Sequence, residues 1–106
     1  MQWFFLILAG LFEIGWTLGF KLSQTTPHKI AWIIVAVISM TLSSIFLWLA
    51  QKTIPIGTAY AIWTGMGAVG AFAIGIFLFD DAASLLRIVS VTFIVIGIVG
   101  LKLAGG

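Results

Sequence analysis

The stretch QWFFLILAGLFEIGWTLGF, residues 2 to 20, holds a single ionisable side chain, Glu13, near the middle of an otherwise uncharged apolar run. A run of this length matches the roughly 20 residues a helix needs to cross a hydrocarbon core of about 30 Å. A charge at the bilayer centre costs roughly 2.5 to 3.5 kcal/mol on insertion scales, and each neighbouring Leu, Ile or Phe returns only about 0.3 to 0.6. An acid kept at that cost marks a functional position. No positive segment precedes the run and no small-residue cleavage pattern follows it, so it reads as a retained span and not as a signal peptide.

Three further apolar runs follow, at about 30–50, 57–79 and 85–104, giving spans of about 2–20, 30–50, 57–79 and 85–104 in a single domain over 1–106. Of the 106 residues, 62% are hydrophobic and 8% charged, which excludes an ordinary soluble domain. The expectation is an all-α membrane protein with four transmembrane helices, since lipid leaves no partner for a bare backbone and the runs suit helices better than a barrel. Pro27 and Pro55 fall in the breaks, where proline costs no needed donor. Trp3, Trp32 and Trp48 stand near span ends, the level at which indole rings settle. Asp80 and Asp81 fall in the third break and read as solvated.

Cysteine is absent, and no catalytic triad, metal constellation or cofactor motif appears, so no cofactor or metal is expected and an enzyme is the least favoured class. The five Lys and Arg residues are scattered, which argues against nucleic-acid binding. Their distribution is more telling. With four spans, Lys52 and Lys102 share one membrane side while Lys21, Lys29 and Arg87 share the other. Orientation follows asymmetry of Lys and Arg in short loops. A near-even split predicts insertion in both orientations, and copies of opposite orientation could pair as an antiparallel homodimer with a site at the midplane.

Helical spacing places Ala9, Gly10, Trp16, Thr17 and Phe20 on the side of Glu13, a face whose small residues permit close helix approach. No basic residue lies at the depth of Glu13, which disfavours a structural ion pair. The third span carries Gly65, Gly67 and Gly70 among other glycines; each costs about 1 kcal/mol against alanine in a helix, so they serve packing, bending or both. Tyr60 and Trp63 share a face and could be interfacial anchors or walls of a cation site. Ser39, Thr41, Ser43 and Ser44 form a hydroxyl cluster at the depth of Glu13; such hydroxyls usually bond their own helix, and one could donate to the acid. Ser90, Gly97 and Gly100 form a small-residue stripe on the fourth span, a candidate dimer contact.

Glu13 with Trp16, and the run Pro55-Ile56-Gly57-Thr58-Ala59-Tyr60-Ala61-Ile62-Trp63-Thr64-Gly65-Met66-Gly67-Ala68-Val69-Gly70-Ala71, resemble the small multidrug resistance transporters, and more narrowly their guanidinium-exporter subtype. The resemblance covers essentially the whole chain. It implies an antiparallel, dual-topology homodimer in a bacterial inner membrane, with the two copies of Glu13 in one central site that binds substrate and proton. It also implies proton-coupled export of guanidinium-like cations, with Trp16 and Ser43 hydrogen-bonding Glu13 and with Tyr60 and Trp63 lining the site. The chain departs from the family pattern at Asp81-Ala82, where relatives often carry Glu-Pro. One rival within the class exports hydrophobic or quaternary ammonium cations, which suits an open aromatic site poor in hydroxyls. A rival of another class is a membrane scaffold or regulatory subunit that moves nothing.

Overall fold

The computed structural model describes residues Gln2 to Ala104, and they form four helices: α1 (Gln2–Thr25), α2 (Lys29–Ala50), α3 (Ile56–Phe79) and α4 (Leu85–Leu103). All four are long and apolar enough to cross a membrane. At 1.5 Å per residue the shortest spans about 28 Å and the longest about 36 Å.

The first helix runs into the predicted break, ending at Thr25 instead of Phe20. Lys21, Ser23, Gln24 and Thr25 are polar, but the hydroxyl of Ser23 donates to the Phe20 carbonyl at 2.6 Å and that of Thr25 to Lys21 at 3.2 Å. Thr26 does the same to Leu22 at 2.8 Å. These bonds turn the side chains back on their own helix, so the chain stays helical until Pro27 approaches. At the other end of the molecule α3 stops on a left-handed cap. Asp80 has φ 57 and ψ 30. The N–H of the next residue, Asp81, donates to the Gly75 carbonyl at 3.0 Å. This reversal lays the Asp81 side chain on Gly75, where a β-carbon would strike its carboxylate. Gly75 therefore accommodates a loop residue and not a neighbouring helix. Asp80 and Asp81 stay exposed, as the sequence suggests.

The helices form an open row in the order α2, α1, α3, α4, and the row is flattened, with extents of 45 × 34 × 16 Å. Small residues set the spacing along it. On the α2 side of α1, a β-carbon at Gly19 would lie 3.0 Å from that of Ala36, and one at Gly15 would lie 3.1 Å from the Ser39 hydroxyl. On the α3 side, Gly10 receives Met66 and Gly70 receives the Ile14 side chain. Gly65 receives Ile98 from α4. Such close approach is how helices associate where lipid removes the hydrophobic drive between them. The α1 and α4 backbones do not meet, and α4 buries none of its residues within the chain.

Candidate functional site

Glu13 sits halfway along α1, half-buried, with its carboxylate between two groups of different origin. The first is Trp16, one helical turn on, whose Nε1–H donates to Oε1 of Glu13. Residues three apart on a helix are neighbours, so this pair is built by local geometry alone. The Trp16 ring is itself held edge-on by Phe20, with centroids 5.5 Å apart and planes at 76°. The second group is the bare backbone of α3 at Gly67, where a β-carbon would come within 2.6 Å of Glu13 Cγ. Thr17 shares the face but spends its hydroxyl on the Glu13 backbone carbonyl at 3.0 Å, not on the carboxylate.

Four of the five basic side chains lie over aromatic rings away from Glu13, and the fifth, Lys29, is exposed at the start of α2. Lys21 lies over Phe79 at 5.8 Å, Lys52 over Trp48 at 5.1 Å, Arg87 over Phe72 at 5.2 Å and Lys102 over Trp3 at 4.3 Å. These rings hold the cations at the helix ends. The carboxylate of Glu13 is thus oriented by a neutral donor, which leaves its charge available to a mobile cation or a proton.

Ser43 does not donate to Glu13 here, a correction to the hydrogen bond that the family resemblance implies. Its single hydroxyl proton goes to the backbone carbonyl of Ala9 at 2.7 Å, and its oxygen accepts from Nε1 of Trp63 at 2.8 Å. The residue is 1% exposed. One buried hydroxyl therefore ties α2 to α1 and α3 together, one turn before Glu13 on the same face of α1. Trp63 in turn packs beside Tyr60, with centroids 5.4 Å apart and planes at 53°. Tyr60 is 56% exposed, so this aromatic pair reaches from the buried Ser43 to the open face of the row. Of the other hydroxyls, Thr41 bonds back to the Val37 carbonyl at 2.9 Å, and Ser39 lies buried against Gly15.

Glu13, Trp16 and Gly67 are thus brought into contact, and Ser43, Tyr60 and Trp63 form a second group joined to it through the Ala9 turn. Sequence reasoning missed Met66, which fills the space over Gly10 and packs on the buried core of Leu6, Ala50, Ile54, Ala59 and Ile62. The pairing of a glycine with a flexible, unbranched side chain on the facing helix is its only signature. On α4, the hydroxyl of Ser90 bonds back to Leu86 at 2.8 Å. Gly97 and Gly100 face open space and line a groove of about 500 Å³ with Ala61, Phe93, Ile94, Ile98 and Leu101.

Residues 1–94 match the family model described as Small Multidrug Resistance protein. The chain is 46% identical to a guanidinium exporter of Salmonella typhimurium, with 98% of each chain covered. It is 45% identical to a guanidinium exporter of Yersinia pseudotuberculosis over 98% of this chain and 99% of that one. It is 44% identical to a guanidinium exporter of Escherichia coli K12, again over 98% of each. Agreement of this depth, running nearly end to end through every helix, means that the chain belongs to the small multidrug resistance family.

Proposed function

We propose that this protein exports guanidinium and small guanidinylated cations across a bacterial inner membrane in exchange for protons, working as an antiparallel homodimer whose two copies of Glu13 form one site. The observation that carries the reading is the midspan carboxylate of Glu13, oriented by the Trp16 indole and paired with no cation among the described residues. The names of the relatives supply the substrate class.

A guanidinium ion is planar and presents a fork of N–H donors that a carboxylate accepts two at a time. A carboxyl that has taken a proton loses most of that attraction. Proton and cation therefore exclude one another, and the exclusion couples their opposite movements. Trp16 fixes one oxygen of Glu13, which reduces the ordering the cation must impose on the site. Tyr60 and Trp63 offer ring faces to a cation, and Ser43 holds Trp63 against α1. Gly67 admits Glu13 to the α1–α3 seam, while Gly10, Gly65 and Gly70 let the helices sit close enough to slide or bend.

Support for the dimer comes from the open row, which leaves the Glu13 face without a second wall, and from the near-even split of Lys and Arg, two against three. The groove at Gly97 and Gly100, with Ser90 on the same helix, is the seam at which α4 would meet its counterpart. Purified protein in sealed vesicles tests the proposal. A proton gradient imposed across the membrane should drive guanidinium accumulation, and the Glu13→Gln variant should show none. Guanidinium movement that ignores the gradient would overturn the exchange mechanism, and no movement at all would favour a scaffold.

A further inference from the structure

A second groove lies on the other flank of α4, and its chemistry is opposite to that of the cation site. It is lined by Trp3 and Ile7 of α1, Ile62 and Met66 of α3, and Ile98, Val99, Lys102 and Leu103 of α4, and encloses about 250 Å³. It exists because the α1 and α4 backbones do not meet, so α3 forms its floor, with Ile62 buried there. At its end the Lys102 side chain crosses the gap, its ammonium 4.3 Å from the centroid of the Trp3 ring. Ile98 lines this groove and the glycine groove alike, and the two part company on either side of it, Gly97 and Gly100 on one flank and Val99 and Lys102 on the other. A partner helix on the glycines leaves this groove open.

We propose that this groove seats an anionic phospholipid, its phosphate at Lys102 and Trp3 and the first part of one acyl chain over Ile7, Met66 and Val99. Charge complementarity selects the occupant. Among the described residues the groove is lined by an ammonium and no carboxylate; the three acidic side chains are Glu13 at midspan and Asp80 and Asp81 at the opposite helix ends. Basic pockets between membrane helices hold anionic headgroups for this reason. A cationic substrate with a hydrophobic tail is repelled by Lys102. The indole N–H of Trp3 is a donor at headgroup depth, and its ring already positions the ammonium. Ile7 and Val99 are each 50% exposed, so an acyl chain can cover them without displacing protein.

Native mass spectrometry of the purified full chain, released from detergent containing equal amounts of dioleoyl-phosphatidylglycerol and dioleoyl-phosphatidylcholine, tests the site. One lysine near a headgroup should give about a fivefold preference for the anionic lipid. Lys102→Gln should bring the preference close to one, whereas Lys52→Gln, which removes an ammonium from the same membrane side but outside the groove, should leave it intact. Val99→Trp should lose the lipid by filling the groove with the charge untouched, and Ile7→Trp provides the same filling from α1 should the first variant melt early. Inorganic phosphate should not compete. Equal retention of the two lipids by the wild type would overturn the proposal. So would an equal effect of the two lysine variants, or full retention by both groove-filling variants.

Discussion

Gly67 of α3 stands where any side chain would run into Glu13, a β-carbon there lying 2.6 Å from Glu13 Cγ. Adding that methyl group forces the carboxylate away from Trp16. Displacements of about 1 Å at a reacting group can cost on the order of 100-fold in rate. Gly67→Ala should therefore reduce guanidinium transport by one to two orders of magnitude on that scale. Gly57→Ala, which meets nothing within 4 Å, should leave it near wild type. Vesicle uptake of the two variants, measured side by side, checks the difference.

Competition at Glu13 has a pH signature. Guanidinium binding should weaken as the medium is acidified, because protons and the cation claim the same oxygens. Glu13→Gln should bind weakly at every pH and show no such slope. Calorimetric titration across a pH series reads both outcomes, and a slope that survives in the variant would place the competition elsewhere.

Trp16→Phe keeps a ring against Phe20 but removes the N–H that orients the carboxylate. A hydrogen bond to a charged group contributes about 1.5 to 3 kcal/mol, so guanidinium affinity should fall by roughly 10- to 100-fold. Trp16→Gly should lose the same bond and also open space beside Glu13, admitting bulkier cations. A competition panel of substituted guanidinium and quaternary ammonium ions distinguishes the two variants.

Ser43→Ala strands the Trp63 indole N–H without its acceptor and removes the tie to Ala9. An unsatisfied buried donor costs about 1 to 3 kcal/mol, which should lower the melting temperature in detergent. If Ser43 acts through Trp63, the double variant Ser43→Ala with Trp63→Phe should be less destabilised than the sum of the single variants. Strict additivity would separate the two residues.

Gly97→Leu should abolish assembly and transport together. The position faces open space in the single chain, so the new side chain disturbs nothing there and acts only against a partner. Crosslinking in membranes, with melting of the purified variant, checks that assembly and not folding was lost.

The four spans are legible because each is a long apolar run bounded by proline or charge, a signal that survives without tertiary information. The continuation of α1 to Thr25 is not, since Lys21 to Thr25 resembles a loop until one sees hydroxyls bonding backwards. Spacing places Trp16 on the face of Glu13, one turn away, and the family resemblance implies the hydrogen bond that joins them. The partner of Ser43 could not. The Glu13 carboxylate and the Ala9 carbonyl are acceptors on the same face of α1, and only the packing of α2 against α1 decides between them. Trp3 reads as one more interfacial indole in the sequence, because Lys102 comes to it from the far end of the chain.

The attachment of α4 to α3, with the Lys102 side chain reaching across to Trp3 of α1, divides the polypeptide into two parts with separate obligations. The side-chain hydrogen bonds of Glu13, Ser43 and Trp63 among the described residues stay within the first three helices. In the proposed dimer the last helix carries the contact with the partner, so a duplicated copy could acquire a different mate while its ion chemistry stayed the same.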